Sequence, residues 1–251
     1  MKFAKAIAAV TLFTTSMIAS ATSVEEIIST YHENIGGVEA LKSLKGVKMS
    51  GVMQQGQMEL PIEYVQLDSG KTYTKISVQG QEFKQAVYDG ETLWSINFMT
   101  MKPEKSTEED TYNFSLQKND FPDALVDYKA KGYGAEIVGT ETVEGAEAFK
   151  VKLTQEPIKV DGKETPNINY YYFDADSMVL VMVESEVRSG PMKGAVQLVK
   201  FSDYQEVDGL YFPFSMSQEI KGAPGGAPIS FKSIELNPTV DAAAFAFPSA
   251  E

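Results

Sequence analysis

The chain has no cysteine, one histidine (His32), one arginine (Arg188) and one tryptophan (Trp94). Without cysteine there is no thiol nucleophile, thiolate metal site or disulfide, and no cysteine to carry the lipid anchor of a bacterial lipoprotein. A multi-histidine metal centre is excluded, and any Ser-His-Asp arrangement would rest on His32 alone. His32 follows Tyr31 and precedes Glu33 beside an apolar helical stripe, where a lone histidine reads as a helix-edge residue rather than a ligand. Scarce arginine removes the bidentate fork that usually recognises phosphate and carboxylate. Basic residues are also few: 22 against 35 acids, a formal charge of -13 and a pI near 4.6. Such a surface repels nucleic-acid backbones. Long apolar runs are missing past the N-terminus, so no stretch provides the roughly 20 residues a bilayer-spanning helix needs. The inventory therefore points to a non-enzymatic protein with no metal or cofactor.

What is present suits a folded core: 251 residues, 43% hydrophobic and 23% charged, enough for one large domain without disulfide or metal support. Lys2 and Lys5, the apolar stretch 6–18 and Ala19-Ser20-Ala21 form a secretory signal with a cleavage site after Ala21. Residues 1–21 carry two lysines and no acids, so their removal takes the formal charge from -13 to -15 and leaves 22–251 as a single mature domain. Export of a cysteine-free soluble product predicts a periplasmic protein.

Ser23 and Glu26 make a capping box, and Val24, Ile27, Ile28, Tyr31 and Ile35 recur at helical spacing before Gly36-Gly37. Val38, Leu41 and Leu44 extend the helical pattern to Lys45. From Gly46 the period changes toward two, punctuated by Asp68-Ser69-Gly70, Gln79-Gly80, Asp89-Gly90, Glu144-Gly145, Asp161-Gly162 and Asp208-Gly209, the turn chemistry of adjacent antiparallel strands. Strands are predicted over 46–55, 58–68, 71–78, 81–89, 91–98, 134–140, 146–155, 167–174, 177–188, 194–204, 210–221 and 228–236. Between the fifth and sixth, residues 99–112 read as a polar loop. Asp120-Phe121-Pro122-Asp123 then reads as the cap of a helix ending at Gly132, with Phe121, Ala124, Leu125 and Tyr128 as its apolar stripe. The fold class is mainly β (α+β). A strongly curved antiparallel sheet or unclosed β-barrel of about 11–12 strands encloses an N-terminal helix and an inserted lid or plug helix.

In order along the chain, Tyr31–Gly51 (YHENIGGVEALKSLKGVKMSG), Tyr88–Trp94 (YDGETLW), Asp123–Tyr133 (DALVDYKAKGY), Gly139–Thr154 (GTETVEGAEAFKVKLT), Tyr171–Val181 (YYFDADSMVLV), Phe201–Phe214 (FSDYQEVDGLYFPF) and Ile234–Pro248 (IELNPTVDAAAFAFP) resemble the LolA/LolB-like outer-membrane lipoprotein-sorting family. The resemblance implies an unclosed barrel wrapped around plug or lid helices, carrying lipid or lipoprotein acyl chains through the periplasm toward the outer membrane. Its implied partners are inner- and outer-membrane sorting components. Carriers of that family have an arginine on an early strand that ties the lid closed; here Arg188 falls on a late strand.

Alternation places Phe212 and Phe214, with Leu210 and Met216, on one strand face, and Trp94, Ile96 and Phe98 on another. A concave sheet aims such sets at a cargo. Met49, Met53 and Met58 on the first two strands and Met99 and Met101 beside the lid add adaptable apolar surface, with Phe121 and Leu125 from the inserted helix. The same residues also suit plain core packing. Asp174 and Asp176 lack the oxygen ligands and glycine of a calcium loop, and the glycine-rich stretch 222–228 lacks the lysine and following helix of a phosphate cradle. The acids Glu104, Glu108, Glu109 and Asp110 read as a solvated loop. Two other readings stay open: an exported scaffold whose cavity is filled by its own side chains, and a hydrolase, which needs two carboxylates about 5 to 9.5 Å apart.

Overall fold

The first described helix begins where its cap is. The Ser23 hydroxyl accepts the Glu26 N–H at 3.1 Å, and α1 (Val24–Asn34) follows, with Glu25 and Glu26 at the positive end of its dipole. A computed structural model describes residues 22–248; the signal peptide expected over 1–21 lies outside the described residues. At the end of α1, Gly36 has φ +112°, and a Cβ there would overlap the backbone of Gly209 and Leu210. Only glycine permits that close approach, through which the Tyr211 N–H reaches the Ile35 carbonyl at 3.0 Å. A short α2 (Val38–Lys42) buries Leu41.

Thirteen strands form one sheet. The first five are β1 (Gly46–Gln55), β2 (Met58–Leu67), β3 (Thr72–Val78), β4 (Gln81–Tyr88) and β5 (Leu93–Ile96). After β6 (Pro103–Lys105) come α3 (Glu108–Ser115), a 3-10 turn at Leu116–Asp120, and then β7 (Gly134–Val143), β8 (Ala146–Val160), β9 (Lys163–Asp174) and β10 (Leu180–Glu186). The sheet ends with β11 (Val196–Val207), β12 (Leu210–Ile220) and β13 (Gly226–Leu236). Every neighbouring pair is antiparallel, in the order β6-β5-β4-β3-β2-β1-β13-β12-β11-β10-β9-β8-β7. The first and last strands therefore meet in the middle, with Val47 opposite Leu236 and Met53 opposite Ile229. The edges β6 and β7 do not pair, so the barrel is unclosed.

One apolar cluster joins Ile27, Ile28 and Tyr31 of α1 to Val47 and Ile62 from one half of the sheet and to Val151, Leu153 and Phe173 from the other. The sheet curls around α1 to make these contacts. On its opposite face, Val65, Tyr73, Val87 and Trp94 pack under Phe245 of the C-terminal tail.

Twelve strands match the sequence pattern; β6 does not show in it, being three residues long and opened by proline. The helix predicted over 120–132 is absent. Asp127 has φ +52°, which splits this segment into turns, with the Val126 N–H on the Asp123 carbonyl at 3.2 Å and the Lys131 N–H on the Asp127 carbonyl at 3.1 Å. The cause is packing from all sides. Ala124, Leu125, Val126 and Tyr128 are all buried between α1 and the sheet, a wider arc than one helical stripe presents. The inserted helix is α3 instead, eight residues that begin inside the segment read as a polar loop over 99–112 and run past its end. Its signal was legible: the Thr107 hydroxyl accepts the Asp110 N–H at 3.0 Å, a capping pair at S/T-x-x-D spacing.

Candidate functional site

Two differently built elements cover the concave face. The first, residues 121–133, is a plug. Leu125 is 1% exposed, and Asp123 fixes the segment to α1. The Tyr31 hydroxyl donates to Asp123 Oδ2 at 2.8 Å, and the Leu125 N–H donates to Oδ1 at 2.7 Å. His32 Nε2 lies 4.0 Å from Oδ1 and has no hydrogen-bond partner among the described residues. Burial by itself would raise the Asp123 carboxyl, but the facing His32, the Leu125 N–H and the Tyr31 hydroxyl together hold it below the ordinary carboxylate value. The phenols around it shift the other way: burial, then the Asp123 charge, pushes Tyr31, Tyr171 and Tyr204 up.

The second element, α3, is a lid. It buries no side chain fully, rests the half-buried Phe114 ring 5.7 Å from Tyr88, and is otherwise held by polar contacts. Glu109 accepts the N–H groups of Asp161 and Gly162 at 2.9 and 2.6 Å, in the β8–β9 turn. Asn113 and Lys159 exchange two hydrogen bonds of 2.7 and 2.8 Å. Glu109 is thus structural rather than free, and Glu104 likewise accepts from Asn97 and Thr100. A segment with few buried apolar contacts and exposed polar ones is the kind that opens first.

Beneath α3 lies a cavity of about 560 Å³. Leu93, Phe114, Ile158, Tyr171 and Val183 line it on the apolar side, and Asp120, Gln155, Asn169 and Arg188 on the polar side. Gln155, 7% exposed, donates to both Asp120 oxygens at 2.8 Å and accepts from Asn169 at 2.7 Å. Arg188 pairs with Glu186 at 2.7 Å. Among the described residues no group of His, Cys, Asp or Glu is gathered to hold a metal ion.

Burial pushes Asp120 up to about 6, against the opposing hydrogen bond from Gln155. An acid whose folded pKa is raised has its full stability below the unfolded value, and loses it as pH rises from about 4 through about 6. Asp120→Asn keeps an oxygen for Gln155 and carries no charge. It is expected to be more stable than the wild type at pH 8 by up to about 3 kcal/mol, with the gap closing near pH 3.5. Urea melts at both pH values measure this; an equal gap at both removes the burial account.

The predicted cargo residues divide into three groups. Met49 is buried in the concave core, with Met53, Phe121, Phe212 and Phe214 partly buried against the same cluster and Leu125 on the plug. Trp94 and Ile96 face the other way. They pack under the C-terminal tail, where the Trp94 indole N–H donates to the Phe245 carbonyl at 3.0 Å. Alternation put both on one face, but the side of the sheet they occupy is set by the tail. Phe98, Met99 and Met58 are exposed on hairpin tips. The cavity's polar residues were not singled out from sequence, apart from Arg188, because they come from separate strands and carry no local motif.

Among solved structures, a DUF1329 family protein from Desulfovibrio piger matches with a TM-score of 0.54 at 14% identity, over 90% of this chain and 98% of that one. A LolA superfamily protein from Nitrosomonas europaea matches with a TM-score of 0.51 at 10% identity, over 90% and 98%. The chain shares the fold of these two proteins. A domain assigned to outer membrane lipoprotein sorting, from Vibrio parahaemolyticus, matches with a TM-score of 0.51 at 11% identity, over 88% and 94%. No protein-family model and no curated protein matches the sequence. At these identities the likeness is one of fold. The unclosed, curled antiparallel sheet agrees with the architecture that the sequence resemblance implied.

Proposed function

We propose that this protein is a non-enzymatic periplasmic carrier that binds lipid or lipoprotein acyl chains on the concave face and moves them toward the outer membrane. The observation that carries the reading is a lid with no buried side chain over a cavity of about 560 Å³ that Leu93, Phe114, Ile158, Tyr171 and Val183 line with apolar surface. An exposed acyl chain costs about 0.8 kcal/mol per CH₂, so a carrier must cover its cargo and still release it. A lid held by polar contacts meets both needs. In this reading Met49, Met53, Phe212 and Phe214 form the wall, and Phe121 and Leu125 yield to the incoming chain. Residues 1–21 direct export and residues 22–251 act as one domain. The fold neighbour assigned to lipoprotein sorting supports the cargo class, and no described helix is long and apolar enough to cross a membrane. Membrane sorting components would serve as donor and acceptor.

The test is native mass spectrometry of the mature protein purified without detergent from its own periplasm, with displacement of a fluorescent fatty acid. A bound lipid or acylated peptide is expected, and Phe212→Ala with Phe214→Ala should weaken the probe by about tenfold or more. An empty protein that ignores the probe sinks the carrier. One observation favours a second reading, a scaffold of the same fold: Leu125, Val126 and Tyr128 already fill the concave face. Failure to bind the probe is what that reading expects.

A further inference from the structure

The β5–β6 loop presents apolar side chains on a rigid frame. Met99 is 94% exposed, and Phe98 and Met101 are exposed beside it. The loop is built to hold them there. Asn97 Oδ1 accepts the Met99 and Thr100 N–H groups at 2.8 and 3.1 Å, the Asn97 N–H reaches the Lys102 carbonyl at 2.9 Å, and the Met101 N–H reaches the Asn97 carbonyl at 2.8 Å. Glu104 accepts from the Asn97 amide and the Thr100 hydroxyl, and the Phe98 ring lies 5.1 Å from Phe83. Three outward apolar residues on a loop this well bonded need an apolar phase to enter.

The strand order places this tip on the same edge of the sheet as the turns after β1, β3, β8, β10 and β12. That edge also carries exposed Met58 and Met192. Its turns hold Lys102, Arg188, Lys193 and Lys221, of which Arg188, Lys193 and Lys221 are paired with Glu186, Asp161 and Glu184, whereas the opposite turns hold Asp89, Glu91, Glu144, Asp176 and Asp208. The α3 acids are partly taken up, Glu109 by the β8–β9 turn and Asp110 by Thr107, while Glu108 stays exposed.

The geometry points to a lipid bilayer as the partner of this edge, with Phe98, Met99 and Met101 entering the interface and Lys102 beside them at its headgroups. Separate apolar tips with polar gaps between them make no continuous centre for a protein interface, whereas a fluid apolar phase accepts isolated wedges. The inference goes beyond the carrier reading and does not depend on which cargo is held.

Flotation of the mature protein with phosphatidylcholine vesicles, with and without phosphatidylglycerol, tests it. The wild type should float with both. Met99→Ser combined with Met101→Ser should lower partitioning about tenfold or more. Val138→Ser and Tyr211→Ser, at exposed apolar positions away from this edge, should float as the wild type does. A wild type left in solution, a double variant that floats equally well, or a double variant that loses only self-association on a sizing column would each overturn the proposal. Fatty-acid probe binding by the double variant should be unchanged, so failure of the carrier reading shows in that assay and failure of docking in flotation.

Discussion

Replacing Asp123 with alanine should destabilise the fold by about 3–5 kcal/mol, the loss expected when one partner of a buried, hydrogen-bonded charge is removed. The Tyr31 hydroxyl and Leu125 N–H would both lose their acceptor inside the core, and each buried orphan costs about 1–3 kcal/mol. The effect has a pH sign. Because the Asp123 carboxyl is held below its ordinary value, its contribution is present above about pH 4 and is lost as pH falls through the lowered folded value. The mutant and wild type should therefore converge in strong acid. Asp123→Asn, which keeps one oxygen acceptor, should cost less than the alanine. Urea melts at neutral and acid pH give all three comparisons, and equal melts for Asp123→Ala and wild type at pH 7 would remove Asp123 as the tie between plug and helix. If the plug is also what cargo must displace, the same variant should take up a fluorescent fatty acid faster than wild type.

Much of this arrangement could be read from the chain, and the failures have physical causes. Ser23 and Glu26 placed α1, and the Asp-Gly turns placed the hairpins, because capping and turn formation are local. The segment 121–132 failed because its conformation is set by what surrounds it. Asp123 reads as a first-turn residue of a helix, but its carboxylate is taken by Tyr31, 92 positions away. The lid failed differently: acids at Glu108, Glu109 and Asp110 suggested solvent, although Thr107 and Asp110 were a readable cap. Plug and lid therefore separate into two elements where sequence suggested one. The plug supplies packing, and the lid supplies an opening that gives up little apolar contact, mainly that of Phe114 with Tyr88.

Trp94 carries the same lesson and the second large expectation. Its indole is 1% exposed, lies edge-on to Phe247 at 5.8 Å, and ties strand β5 to the Phe245 carbonyl. Trp94→Ala should cost about 3–5 kcal/mol, the usual range for removing a buried aromatic. It should also loosen the tail, since Lys84 Nζ bonding the Ala244 carbonyl at 2.6 Å and the Tyr73–Phe245 contact would remain as its main ties. Limited proteolysis would then cut near 240–247 sooner than in wild type. What the variant should leave alone is affinity for a hydrophobic probe, because Trp94 lies on the face turned away from α1. Phe212→Ala with Phe214→Ala should do the reverse, weakening the probe with a smaller loss of stability, since both side chains are only partly buried. A Trp94→Ala protein that stays folded and loses probe binding would place the cargo under the C-terminal tail instead of inside the curl of the sheet.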